Sequence, residues 1–151
     1  MSHEWDRGTL NQSSWHGLED VGTFVTAEDL ILAGEMAGSW PVELQRQDQF
    51  IQLDGHTVKG GEQAIVAFYR QHDPRWVGNV GGRFHATDPE RWRGLVKAAV
   101  EAGAAPTGAF SLRGGSRVLA TFEVSNESGI KTNLMIADAF DGGMKLMCGF
   151  T

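Results

Sequence analysis

The chain has 151 residues, 41% of them apolar and 21% charged, with a formal net charge of −6 and one cysteine, Cys148. This length supports one domain with a core of its own. A lone thiol excludes an intramolecular disulfide or a thiolate zinc site, and no run of eighteen apolar residues is present to cross a membrane. The opening "MSHEWDRGTLNQSSW" lacks the basic start and apolar core of a secretory signal, so a reducing, cytoplasmic setting is expected.

Residues 1–24 are polar and glycine-bearing and read as an N-terminal arm ahead of a single α+β domain over 25–151. Trp5 and Trp15 on this polar arm are candidate interface anchors, docking on the domain or on a neighbour. "TAEDLILAGEMAG" predicts a helix: Thr26 is the N-cap, Asp29 completes a short version of the capping box, and Gly38 stops it. "WPVELQRQ" and "QFIQLDG" alternate and read as two strands, and "HTVKGGEQ" as a loop. "AIVAFYR" and "RWVGNV" form a hairpin turning at "HDP". "TDPERWRGLVKAAVEAGAAP" is the second helix, capped by Asp88 or Thr87 with Pro89 in its first turn, and closed by Gly103. Two hairpins finish the chain, the second turning at Asp141-Gly142-Gly143. The fold class is α+β, a mostly antiparallel sheet of hairpins with two helices.

Charge is unevenly spread. From Arg70 to Arg117 there are eight bases against four acids, a local +4, and the remainder carries five against fifteen, or −10. Such a chain presents a positive surface within an acidic total, unless the two halves pair with each other. The hairpin "FSLRGGSRVLATFEV" sits at the end of the basic stretch. A two-residue loop at Gly114-Gly115 sets Leu112 opposite Arg117 and mixes apolar and charged residues on each face. A three-residue loop sets Leu112 opposite Val118 and Phe110 opposite Ala120, which gathers the apolar residues on one face and brings Arg113 opposite Arg117. The second register is expected, with a wider, bulged loop as the alternative because Ser116 stands where glycine is usual. Paired arginines then call for a negative partner, an acid of this protein or a bound anion.

Motifs for chemistry are missing. His3, His16, His56, His72 and His85 stand in no metal spacing, and no nucleophile elbow, Walker loop or dinucleotide fingerprint occurs. No metal, no cofactor and no enzymatic activity are expected.

"SSWHGL", "AGSWPVELQ", "WVGNVGGRFHATDPERW", "GAFSLRGGSRVLATFEV" and "IKTNLMIADAFDGG" follow one another as do successive blocks of the phage/plasmid-like proteins called domain of unknown function 932, which the chain resembles. It departs from them where Phe140-Asp141-Gly142 stands in place of His-Asp-Gly, and members are usually longer. The resemblance implies a phage origin, an antiparallel α+β core, and a place among recombination and single-strand annealing functions. Two functions are expected from residues and resemblance together. One is a non-enzymatic, phage-encoded protein that binds single-stranded nucleic acid as a homo-oligomer, through Arg83, Arg91, Arg93, Arg113, Arg117 and Trp76. The other is a module that engages a host or phage protein, with Trp5 and Trp15 at the interface. A continuous positive groove favours the first, and an apolar patch the second.

Overall fold

A computed structural model describes residues 5–10, 26–81, 88–125, 129, 131–141 and 147–150, the first of these segments by its backbone. The elements are β1 (Trp5–Leu10), α1 (Ala27–Met36), β2 (Glu43–Leu53), β3 (His56–Phe68), β4 (Arg75–Gly81), α2 (Pro89–Glu101), β5 (Ala105–Leu112), a 3-10 turn (Arg113–Gly115), β6 (Arg117–Ser125), β7 (Lys131–Ala139) and β8 (Met147–Phe150). They build two antiparallel sheets, one ordered β1-β5-β6-β7-β8 and one ordered β2-β3-β4. The expected α+β class, with antiparallel hairpins and two α-helices among the described residues, is what the structure has.

Both helices form where their caps place them. Thr26 accepts from the Asp29 N–H and Asp29 accepts from the Thr26 N–H, each at 3.1 Å, so the capping box is closed with aspartate in place of the usual glutamate. Asp88 accepts from the Arg91 N–H at 2.7 Å, and Pro89 fills the first position of α2. Both helices end in the same motif. The Gly38 and Ser39 N–H groups bond to the carbonyls of Glu35 and Gly34, and those of Gly103 and Ala104 to Val100 and Ala99. This geometry needs left-handed backbone, with φ +76° at Gly38 and +105° at Gly103.

The main core lies between the helices and one face of the five-stranded sheet. It joins Leu30 and Ile31 of α1, Trp92 and Val96 of α2, and Ala109, Val118, Ala120, Phe122 and Ile136 of the sheet. Trp40, just after α1, sits at its centre, edge-on to Trp92 with ring centroids 5.4 Å apart, and its indole N–H donates to the Phe110 carbonyl at 3.2 Å. α1 approaches this ring so closely that a Cβ on Gly34 would stand 2.8 Å from it. A second, smaller core of Ile65, Ala67, Tyr69, Val77 and Val80 belongs to the three-stranded sheet, and Leu44 packs against both.

Three sequence expectations change. "WPVELQRQ" and "QFIQLDG" are not two strands: Glu43–Leu53 is one, and "HTVKGGEQ" is not a loop but the first half of β3. The turn between them is Asp54-Gly55, with φ +48° and +79°, the two-residue connection that pairs Leu53 with His56. Gly60 and Gly61 lie in a bulge, where pairing steps from Asp48↔Gln63 to Phe50↔Lys59. The β5–β6 register is corrected too: Leu112 faces Arg117 and Phe110 faces Leu119, so Arg113 does not oppose Arg117 but lies in a four-residue turn. The reason is burial on both sides, for Val118, Leu119 and Ala120 are all at most 3% exposed and no polar face has to be preserved there. Finally, part of the N-terminal segment read as an arm, Trp5–Leu10, is a strand on the edge of the larger sheet, with Trp5 opposite Leu112. The expected β3–β4 hairpin stands, and β7 pairs with β8, while the turn at Gly142-Gly143 lies outside the described residues.

Candidate interaction surface

The cationic residues are divided among several elements. Arg93, half-buried on α2, points to Glu35 on α1, its guanidinium 3.5 Å from the carboxylate, and Arg70 beyond the end of β3 approaches the other oxygen at 2.8 Å. Glu35 is buried, its side chain 5% exposed. A groove of about 520 Å³ runs here past Ile31, Leu32, Val42 and Lys97. Arg93 therefore ties α2 to α1, a role that a two-point acceptor explains without an outside anion. Arg91, two positions earlier on α2, is exposed. Arg113 is exposed on the β5–β6 turn with φ +53°, and Arg117 is half-buried in β6. Arg83 and Trp15 lie outside the described residues, and Trp5 is placed by its backbone alone. Among the described cations, then, Arg93 belongs to the helix pair and Arg113 and Arg117 to the sheet turn.

Sequence reasoning missed Glu35, which reads as an ordinary helix-surface acid in "LAGEM". Glu35→Gln is expected to lower stability by about 1–3 kcal/mol, since two guanidinium groups lose a charged acceptor at a buried position. Half-exposed Arg70 regains water, which keeps the loss below that of a fully buried pair. Urea denaturation of the variant beside wild type measures it.

Among the described residues, most of the exposed large apolar side chains lie on the three-stranded sheet. Among the described residues β4 pairs with β3 only as far as Glu62, and β2 and β3 continue beyond it as a two-stranded arm. Opposed residues share a face of an antiparallel pair. On one face of the arm Ile51 opposes Val58 and Leu53 opposes His56, and on the other Phe50 opposes Lys59. Phe50, Ile51 and Leu53 are each 58% exposed and Val58 51%. The only sequence signal for this arm is Asp54-Gly55 between alternating apolar residues.

Trp76 on β4 is 59% exposed, and its indole N–H is held by the Gly78 carbonyl at 3.0 Å and by Asn79 Oδ1 at 3.1 Å. Gln49 donates to the same Asn79 oxygen at 2.9 Å. Along β2, Gln47 donates to Gln45 and Gln45 to Glu43, a ladder of amides on alternate residues. Asp48 accepts from Gln63 at 2.8 Å and lies 3.7 Å from the Lys59 ammonium. The Gln63 hydrogen bond first, and the Lys59 charge second, hold its carboxyl below the usual carboxylate range. It is therefore anionic throughout the neutral range. From Asp48 to Glu62 the arm has three acids, Asp48, Asp54 and Glu62, against Lys59.

Among the described residues no three His, Cys, Asp or Glu side chains gather as a metal ligand set. No described helix is long and apolar enough to cross a membrane. Comparison with family models, with curated proteins and with solved structures finds no match to the chain.

Proposed function

We propose that this chain is a non-enzymatic interaction module whose β2–β3 arm docks in an apolar, basic-rimmed groove of another protein. The observation that carries this reading is the cluster of Ile51, Leu53 and Val58 on one face of the arm, each more than half exposed. An arm with apolar residues and an excess of acids suits such a groove and is unsuited to a polyanion, which repels Asp48, Asp54 and Glu62. The phage origin implied by the family resemblance makes the partner a host or phage protein. The test is site-specific cross-linking in the producing host, with a photoreactive residue at Leu53. One discrete adduct is expected, lost in Ile51→Ser/Val58→Ser and absent when the photoreactive residue replaces Glu101 on α2. No adduct at Leu53, or equal adducts at both sites, overturns the proposal.

Binding of single-stranded nucleic acid is the second reading. It is supported by exposed Trp76, a ring pinned by its N–H, and by exposed Arg91 and Arg113. It requires binding of labelled oligonucleotides that falls with salt and weakens in Trp76→Ala and in Arg91→Ala/Arg113→Ala. An affinity indifferent to all three substitutions excludes it.

A further inference from the structure

We propose that two copies of this chain pair their β2 strands edge to edge, antiparallel, with Gln47 of each on a two-fold axis, so that the three-stranded sheets join into one of six. β2 is an edge strand, hydrogen-bonded to β3 on one side only among the described residues. Proteins guard such edges with short strands, proline, lysine or bulges. β2 lacks the first three, and its charges, Glu43, Arg46 and Asp48, are of both signs. It is eleven residues long, Pro41 precedes it, it contains no lysine, and the extra residues of the bulge, Gly60 to Glu62 against Gln49, belong to β3. No described strand pairs with its outer edge from Glu43 to Leu53.

Its sequence says what pairs there. Residues 44–50 read Leu-Gln-Arg-Gln-Asp-Gln-Phe, which is apolar, amide, cation, amide, anion, amide, apolar. The pattern is its own complement when reversed. A two-fold axis normal to the sheet keeps equivalent faces together, so an antiparallel self-pair must be centred on a residue. Centred on Gln47, Arg46 of each copy opposes Asp48 of the other, Leu44 opposes Phe50, and Gln45 opposes Gln49. One face then carries two ion pairs flanked by two apolar pairs, and the other extends the glutamine ladder across the junction. Centring one residue earlier sets Arg46 against Arg46, and one later sets Asp48 against Asp48, both destabilising. The charges thus select one register. The pairing also covers Phe50, which is 58% exposed and faces away from Ile51 and Leu53. It also sets Ile51 of each copy beside Glu43 of the other, whereas Leu53, and Val58 on β3, lie outside the junction, so edge pairing and arm docking can be tested apart.

The experiment is analytical ultracentrifugation of the full chain over a concentration series, beside charge variants. Wild type is expected to approach twice the 16.4 kDa chain mass. Asp48→Arg and Arg46→Asp, each of which sets like charges opposite at both ends of the junction, are expected to weaken dimerisation by about tenfold or more. The double variant Arg46→Asp/Asp48→Arg restores opposite charges and the dimer. Gln47→Cys in a Cys148→Ser background is expected to form an interchain disulfide on oxidation, whereas Gln52→Cys is not, and this arm decides the matter even where a charge variant fails to fold. A monomeric wild type, a dimer indifferent to both single charge reversals, or cross-linking through Gln52→Cys but not Gln47→Cys overturns the proposal. Dimerisation that persists in Ile51→Ser/Val58→Ser keeps it distinct from arm docking.

Discussion

Trp40→Ala is expected to destabilise the fold by about 3–5 kcal/mol, the range for emptying a buried aromatic site. Domains of this kind have about 5–15 kcal/mol in total, so the variant lies near the edge of folding at room temperature. Trp40 is 1% exposed and stands where three elements meet. Gly34 brings α1 to van der Waals distance of its ring, Trp92 of α2 packs edge-on against it, and the Phe110 carbonyl of β5 accepts its N–H. Alanine removes all three contacts and leaves a cavity walled by helix backbone and sheet, which have little room to collapse. Trp40→Phe keeps an aromatic ring but not the donor, and is expected to lose about 1–3 kcal/mol from the poorer fill and the lost N–H···O bond. The measurement is urea denaturation followed by far-UV circular dichroism, because the substitution alters tryptophan fluorescence. A loss below about 1 kcal/mol for alanine shows that the helix pair does not rest on this ring.

How much of this was legible in the sequence depends on whether a signal is local. Helix ends are local: Thr26 with Asp29, Asp88 with Pro89, and Gly38 and Gly103 mark α1 and α2 to within a residue or two. The β2–β3 arm was half legible. Asp54-Gly55 is a strong hairpin signal, but Gly60-Gly61 punctuates the returning strand and turns it into an apparent loop, since a bulge and a loop use the same residue. The β5–β6 register failed for a different reason. Alternation separates a buried face from a wet one, and Val118, Leu119 and Ala120 have no wet face to separate. Glu35 was out of reach altogether, for its partners Arg70 and Arg93 lie 35 and 58 residues away. The edge pairing of β2 is the opposite case: its charge pattern is written in seven consecutive residues, but it acquires meaning only once the strand is known to be an edge.

The Gly-Gly pair of the β5–β6 turn is expected to separate sharply under substitution. Gly114→Ala is expected to destabilise by about 1–2 kcal/mol, and Gly115→Ala by about 3–5 kcal/mol. Both glycines have positive φ, +68° at Gly114 and +93° at Gly115, so each resists a side chain on backbone grounds. Their surroundings differ. A Cβ on Gly114 meets nothing within 4 Å, whereas one on Gly115 stands 2.9 Å from the Tyr69 hydroxyl, 3.2 Å from Val77 and 3.4 Å from Arg75. Tyr69 and Val77 are core residues of the three-stranded sheet, so the clash falls on buried atoms rather than on movable surface ones. The turn is thus one of the points where the two sheets touch, and Gly115 is glycine because the smaller sheet leaves no room for more. Two measurements distinguish this from a mere turn preference. Urea denaturation ranks the two variants, and hydrogen exchange of the amides in Arg75–Gly81 is expected to quicken selectively in Gly115→Ala as the smaller sheet loosens. Equal losses for both glycines, with β4 exchange unchanged, return the pair to the role of a simple hairpin turn.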